Sequence, residues 1–437
     1  MSLDVTVLAW LMLAIAIYYV ALFALSHRPR TSGPSRNRPL IVLIIPAHNE
    51  ELVIETTLSR LLSSPYERKL ILVMNDGSTD ETSSIARAVG AGQPVHVIDR
   101  PPELAGRGKG AVLNHGLDVL VLDILSRDLL APSPDDVIVG VMDADGQLDM
   151  GALDAIAPFF ADARVGAVQI GVRIVNATDG LLQRAQDIEF VGFSGFVQTA
   201  RDALGSVGLG GNGQFTRLSA LMEAGPTPWS ACLTEDLDLG LSLVERGWRI
   251  RFCTDVFVAQ QAVDNLAALL RQRTRWVQGH YQCWLHFPRL LRARGVPWRT
   301  KMDLALYLGL LVMVVAFAAN AALSVAQLLG VLNVYNGVLA AIHSAFGQRA
   351  LIEGVSLGPP LCFITTYQVR AAHRLPWWAV PASIVFFVVY TYLFVVCHFW
   401  AWARLLLRQK DWAKTGRVVT GQGAMLSVKN PDWQDVG

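Results

Sequence analysis

The sequence predicts an α/β domain built on a parallel sheet and set between apolar segments that belong to a membrane. Three observations carry this reading. From Pro39 to about Arg251, short β-branched runs alternate with helix-like stretches, the order of a parallel βαβ sheet. The run Ile138-Val139-Gly140-Val141-Met142 ends abruptly in Asp143-Ala144-Asp145-Gly146, which puts two carboxylates at the carboxyl end of a buried strand, where open α/β sheets bind ligands. Hydrophobic residues make up 52% of the 437 positions, more than a globular domain carries, so membrane helices must supply the excess.

Val5 to Leu25 is apolar and about long enough to cross a bilayer. It has no basic stretch before it and no small-residue cleavage site after it, so residues 1–27 read as an anchor. Its positive flank, His27-Arg28-Pro29-Arg30, directs the chain from there onward to the cytoplasm. Residues 28–38, rich in Ser, Pro and Arg, form a linker. Leu40 to Ile45 is the first strand, ending in Pro46-Ala47-His48-Asn49-Glu50-Glu51, and helix Leu52 to Leu62 points its positive end at that turn. Leu70 to Met74, Asn75-Asp76-Gly77-Ser78-Thr79-Asp80, helix Glu81 to Val89 and strand Val95 to Ile98 complete a nucleotide-binding half-sheet. Gly106-Arg107-Gly108-Lys109-Gly110 lacks the Walker spacing, yet such a turn before helix Ala111 to Leu117 lets a phosphate approach, with Lys109 as a point charge.

Asp143 and Asp145 repel each other, and a divalent cation such as Mg2+ or Mn2+ carrying a diphosphate would neutralise them. On its own this stretch reads equally as a solvated turn. Helix Gly151 to Phe160, strand Ala167 to Gln169 and a long helix Leu181 to Leu204 come next, then the glycine-dense loop Gly205 to Gly213. Thr234 caps a helix with Glu235 and Asp236 in its first turn, an arrangement that the helix dipole alone also favours. In Asn265 to Tyr281, Arg271, Arg273 and Arg275 surround Trp276. That pattern suits a membrane-surface helix, and it also suits a diphosphate gripped by arginine beside a sugar stacked on tryptophan. His280 and His286 read as packing or surface residues.

The five cysteines show neither paired nor metal-ligand spacing, which argues against a disulfide framework or a zinc site and for a reducing compartment. Basic residues gather at the edges of apolar segments while the net charge is only +1, which speaks for charge-set topology and against nucleic-acid binding. Leu304 to Leu332, Leu351 to Tyr367 and Trp377 to Leu406 are the carboxyl-terminal spans, the middle one interrupted by Glu353, Pro359 and Pro360. Three spans leave the basic stretch Arg404 to Arg417 outside, against the charge rule, so one is interfacial or split, or another lies between Val334 and Phe346. The expected divisions are thus a soluble domain at 39–260, interfacial helices at 261–302, about three membrane helices at 303–407 and a polar tail at 408–437.

Taken in order, Asn75-Asp76-Gly77-Ser78, Asp143-Ala144-Asp145, Thr234-Glu235-Asp236 and Gln272-Arg273-Thr274-Arg275-Trp276, with membrane helices after them, resemble the family 2 glycosyltransferases. The likeness is to their membrane-embedded processive group, which includes cellulose, chitin, hyaluronan and poly-N-acetylglucosamine synthases. The resemblance implies a Rossmann-like fold of the GT-A type and an inverting transfer from a UDP-sugar, with Mg2+ or Mn2+. It implies that Pro46, Ala47, Glu50, Asp76 and Lys109 line the nucleotide pocket, that Asp143 holds nucleotide and metal, and that Asp145 is the more direct metal ligand. Asp236, with Glu235 beside it, would be the catalytic base, and Gln272, Arg275 and Trp276 would contact the diphosphate and the acceptor end. Asn212 and Gly213 fall at the acceptor-side loop, whose wording departs from the family's forms. The implied product is a β-linked polysaccharide made and exported at the inner membrane. One alternative is the addition of a single sugar to a lipid, and another is an inactive scaffold or transporter. Partners would be the donor, a growing glycan or lipid acceptor and the bilayer, with an accessory export or regulatory subunit left open.

Overall fold

The computed structural model describes residues 2–4, 6–27, 38–127, 132–331, 333–335, 357–371 and 373–409. Residues 28–37 of the expected linker, Glu353, most of the stretch between Val334 and Phe346, and residues 410–437 of the expected tail lie outside the described residues.

The centre of the molecule is an eight-stranded sheet: β1 (Leu40–Ala47), β2 (Lys69–Asn75), β3 (Val95–Asp99), β4 (Val137–Val141), β5 (Gln147–Leu148), β6 (Val165–Ile174), β7 (Gln214–Arg217) and β8 (Arg249–Gln260). The spatial order is β3-β2-β1-β4-β7-β6-β8-β5. Alternate residues of β1 feed two cores, Val42 and Ile44 packing with Leu72 and Met74 on one face, Ile41, Leu43 and Ile45 with Ile71 and Val73 on the other. All of these are fully buried, and each is worth about 1.5–3 kcal/mol relative to exposure. Gly140 sits inside β4 because a Cβ there would meet Leu43 and Phe215 carbons at 2.8 Å.

The first half of the sheet is parallel, as the β-branched runs predict, with β1 pairing β2 and β4 and β2 pairing β3. The sheet as a whole is mixed. β7 runs antiparallel between β4 and β6, and the long β8 pairs parallel with β6 across two register shifts. β7 escapes a hydropathy reading because Gln214, Thr216 and Arg217 are buried polar residues. Arg217 is satisfied there by donating to the carbonyls of Val165 at 3.0 Å and Phe160 at 2.8 Å.

Helices α1 (Thr6–Leu25), α2 (Ile54–Leu62), α3 (Thr82–Gly90), α4 (Lys109–Asp118), α5 (Ala152–Ile156), α6 (Leu181–Gly192), α7 (Thr199–Leu204), α8 (Leu218–Ala224) and α9 (Glu235–Glu245) are followed by α10 (Leu266–Gln282), α11 (Phe287–Arg292), α12 (Trp298–Leu328), α13 (Gly358–Arg370) and α14 (Val380–Leu406). α6 and α7 join through a wider turn at Phe193–Gln198, so the expected helix Leu181 to Leu204 is continuous and ends at Gly205, φ 76°. Among the described residues one helix, Trp377–Leu406, is long and apolar enough to cross a membrane. Within the described part of the expected span Leu351 to Tyr367, a helix of 13 residues runs from Gly358 to Arg370. Pro359 and Pro360 begin this helix rather than interrupt it, since the first turn is where proline's missing N–H costs nothing. A buried ion pair, Arg201 to Asp303 at 2.9 Å, ties α7 to α12, and the Tyr18 hydroxyl of α1 donates to the same carboxylate at 2.9 Å.

Candidate active site

The carboxyl ends of β1, β2 and β4 and the amino ends of α4 and α9 face one cavity of about 780 Å3, within the usual range for small-molecule sites. At one wall lie Pro46, Ala47, Glu50 and Asp76. Two loops form this wall and are stapled together. Asn49, at φ 52°, donates its N–H to Ser78 Oγ at 2.9 Å and accepts from the Thr79 N–H at 2.8 Å, while the Glu50 N–H donates to Thr82 Oγ1 at 2.7 Å. Asp76 is ion-paired with the buried Arg100 and accepts from the Gly106 N–H at 3.2 Å. No sequence signal marks Arg100, one arginine after a strand with no motif around it.

Lys109 opens α4, and its Nζ donates to Asp143 Oδ1 and to the Gly211 carbonyl, both at 2.6 Å. Burial works against this ammonium, yet the carboxylates of Asp143 and Glu235 hold its pKa above the ordinary value. The turn after β4 is braced from both sides. The Gly146 N–H donates to the Asp143 carbonyl at 2.9 Å, and Thr57 Oγ1 donates to the Ala144 carbonyl at 2.7 Å. Asp145 is buried and lines the cavity with Asp143. Both offer the hard oxygen donors that Mg2+ or Mn2+ takes, one or two carboxylates completed by phosphate oxygens and water, so the residues fit the cation. Asp143 Oδ1 accepts from Lys109.

Asn212 accepts from the Asp143 N–H at 3.3 Å and donates to Gln260 Oε1 at 3.1 Å, linking the turn to β8 on the cavity wall. Gly213 lies behind that wall. At φ 74° it donates to the Val141 carbonyl at 3.0 Å, and a Cβ there would meet Ile170 Cγ1 at 2.7 Å.

Glu235 and Asp236 enter the cavity from the first turn of α9. Burial and the neighbouring Asp236 push the Glu235 carboxyl up to about 7, and burial raises Asp236 as well, with Lys109 and Arg275 opposing. Asp236 Oδ1 accepts the Leu237 N–H at 2.7 Å. Thr234 occupies the cap position but its side chain makes no capping hydrogen bond. Its hydroxyl instead meets the sulfurs of Cys232 at 3.6 Å and Cys283 at 3.7 Å.

α10 separates the three arginines. Arg275, Gln272 and Trp276 line the cavity, where burial lowers the Arg275 pKa while Glu235, Asp143 and Asp236 favour its charge. Arg273 is buried, pairs with Glu189 at 2.7 Å and lies 4.0 Å from the Trp276 ring, fixing that ring from beneath. Arg271 is exposed. His280 lines the cavity and meets the Tyr307 hydroxyl at 3.0 Å, whereas His286 is buried between Asp238 and Glu245. Fixed cations, two pairs of carboxylates and a braced tryptophan around one cavity can bind a nucleoside diphosphate and take a proton from a hydroxyl beside it.

Comparison with known proteins agrees with this chemistry. Residues 38–279 match the family described as glycosyltransferase-like family 2. A beta-monoglucosyldiacylglycerol synthase from Synechocystis sp. is 31% identical over 274 residues, 62% of this chain and 54% of the relative. A poly-beta-1,6-N-acetyl-D-glucosamine synthase from Staphylococcus aureus is 29% identical over 246 residues, 55% of each chain. The chain thus spans about half the length of these relatives. A mannosyltransferase from Pyrobaculum calidifontis, solved with GDP-Man and Mn2+, shares the fold with a TM-score of 0.58 at 21% identity, over 91% of this chain and 99% of that one.

Proposed function

Given that the chain belongs to glycosyltransferase family 2, we propose that it moves a single sugar from a nucleotide-sugar donor to the hydroxyl of a membrane lipid, inverting the anomeric centre. One observation carries the choice of acceptor. The cavity that holds Asp236 continues to an apolar wall of Tyr19, Leu22, Phe193, Phe363, Phe387 and Phe394, contributed by α1, the turn after α6, α13 and α14. An acyl chain laid there gains about 25 cal/mol for each Å2 of apolar surface removed from water. A polyhydroxylated chain would leave its hydroxyls unsatisfied against it. The similarity to a synthase named for a glucosyl lipid supports the same reading. Polymerisation, the expectation drawn from the sequence, keeps support from the similarity to a polysaccharide synthase and from the complete motif Gln272 to Trp276.

In this mechanism the donor's nucleoside lies against Pro46, Ala47, Glu50 and Asp76, and the sugar stacks on Trp276. Asp236 accepts the acceptor proton from about 2.6–3.2 Å as that oxygen attacks the anomeric carbon. Charge grows on the departing diphosphate, and Arg275 and Lys109 stand ready as fixed cations that need no reorganisation. Asp145 and Asp143 would hold Mg2+ or Mn2+, which would add positive charge at the diphosphate. A direct displacement turns an α-linked donor into a β-linked product. The reading includes a membrane-embedded chain with the domain on the cytoplasmic face.

The test is to give the full chain in diacylglycerol-containing nanodiscs a panel of labelled nucleotide sugars and to partition the products. Label in a chloroform-soluble glycolipid from one donor is the expected result. Label in a long, water-soluble, glycosidase-sensitive polymer would overturn the acceptor assignment in favour of polymerisation.

A further inference from the structure

Outside the transfer cavity, the chain brings together two thiols and a carboxylate that sequence spacing keeps apart. Cys232 lies in the loop before Thr234, Asp238 in the first turn of α9 and Cys283 at the carboxyl end of α10. The sulfurs of Cys232 and Cys283 are 3.8 Å apart although 51 positions separate them. With an Asp238 oxygen, their ligand atoms all lie within 4.8 Å of one another. Two thiolates at ~2.3 Å from a tetrahedral zinc ion are themselves roughly 3.8 Å apart. Asp238 Oδ1 is oriented by His286 Nε2 at 2.8 Å, and His286 Nδ1 is held by Glu245 at 2.7 Å, the kind of outer hydrogen bonding that fixes a ligating carboxylate. Cys283 is buried, Cys232 is half-buried and the Asp238 side chain is 21% exposed, so an ion can enter from the Asp238 side.

We propose that Cys232, Cys283 and Asp238 form a site for a thiophilic divalent cation of the zinc class, distinct from the oxygen-donor site at Asp145. Sulfur donors select zinc-like ions over Mg2+ and Mn2+, and water completes the fourth position. The ion ties the loop before Asp236 and the first turn of α9 to the end of α10, the helix that carries Arg275 and Trp276. Occupancy therefore clamps the two elements between which transfer takes place.

The experiment is a Co2+ titration of the reduced, purified full chain in Mg2+-containing buffer, then zinc displacement and thermal unfolding. A thiolate-to-cobalt absorption that saturates at one equivalent, is displaced by zinc and is lost in Cys232→Ser/Cys283→Ser is expected. Zinc should raise the unfolding midpoint of the wild type, as any ligand of the folded state does, and leave that of the double variant unmoved. A double variant with a wild-type midpoint in metal-free buffer shows that folding is not what was lost. Absence of the band, its survival in the double variant, or a thiol count showing Cys232 and Cys283 joined as a disulfide in the purified protein would each overturn the proposal. None of these readouts depends on the transfer reaction.

Discussion

Gly279→Ala probes the junction between α10, which carries Arg275 and Trp276, and the loop that leads into Asp236. An added Cβ at this α10 position would lie 2.6 Å from both Thr234 Cγ2 and Thr234 Oγ1, and 2.7 Å from the Thr234 backbone nitrogen. Ordinary carbon contacts begin near 3.5 Å, so α10 or the loop before α9 must retreat by about 1 Å. The backbone nitrogen cannot rotate away as a side chain could. Overpacking of this kind costs about 1–3 kcal/mol, while alanine in place of a helical glycine returns about 1 kcal/mol. The net expectation is a loss of roughly 0–2 kcal/mol, visible as a modest drop in the unfolding midpoint. Catalysis should suffer more, because Asp236 follows Thr234 by two residues and Arg275 precedes Gly279 by one helical turn, and a 1 Å misplacement can cost about 100-fold in rate. The assay is the rate at saturating donor beside the thermal midpoint, with Gly151→Ala, where an added Cβ meets nothing within 4 Å, as the control. A wild-type rate and midpoint for Gly279→Ala would refute the close approach of α10 to the loop.

Three further predictions concern other parts of the molecule. Asp303→Ala leaves Arg201 buried without its carboxylate and should cost about 3–5 kcal/mol, read as a large fall in the unfolding midpoint in detergent that Asp303→Asn only partly reproduces. Transfer should rise with pH through about 7, because Glu235, pushed up to about 7, loses its proton there, and burial raises the carboxyl of the neighbouring base Asp236 above its ordinary value as well. For stability the sign is opposite. A carboxyl raised from 4.5 to about 7 favours the folded state below 4.5 and loses that contribution as pH rises through 7, so a pH-independent rate with a midpoint that climbs over this range would contradict the assignment. Glu189→Gln removes the partner that holds Arg273 beneath Trp276 and should raise the KM for the sugar donor more than it lowers kcat, with loss of a charge-assisted hydrogen bond worth about 1.5–3 kcal/mol.

The strands of the parallel half were legible because Ile41 to Ile45, Leu72 to Met74 and Ile138 to Val141 are continuous apolar runs buried on both faces. The placement of Asp143 and Asp145 after a strand and of Asp236 at a helix start was legible from spacing, while the roles expected of them came from the order of the four motifs and the family resemblance. β7 was not legible, since Gln214, Thr216 and Arg217 are buried polar residues, and Arg217 is satisfied by backbone carbonyls that lie more than fifty residues away in the chain. Nor could periodicity divide Arg273 from Arg275. Two residues apart on a helix, they point in different directions, one into a buried pair with Glu189 and one into the cavity. The apolar wall of the cavity depends on helices from both ends of the sequence, and the Cys232–Cys283 approach on a crossing of α10 over the loop before α9. Such contacts are properties of packing, which no local pattern encodes.

The central claim is that Asp236 activates a lipid hydroxyl at a site where the nucleotide is bound by other residues. Its most direct test is Asp236→Asn in acceptor-containing nanodiscs, with transfer and UDP affinity measured on the same preparation. Loss of transfer by roughly 100- to 10,000-fold, the usual contribution of a general base, with UDP affinity unchanged, is the predicted result. Retained transfer, or loss of UDP binding in parallel with transfer, would contradict it.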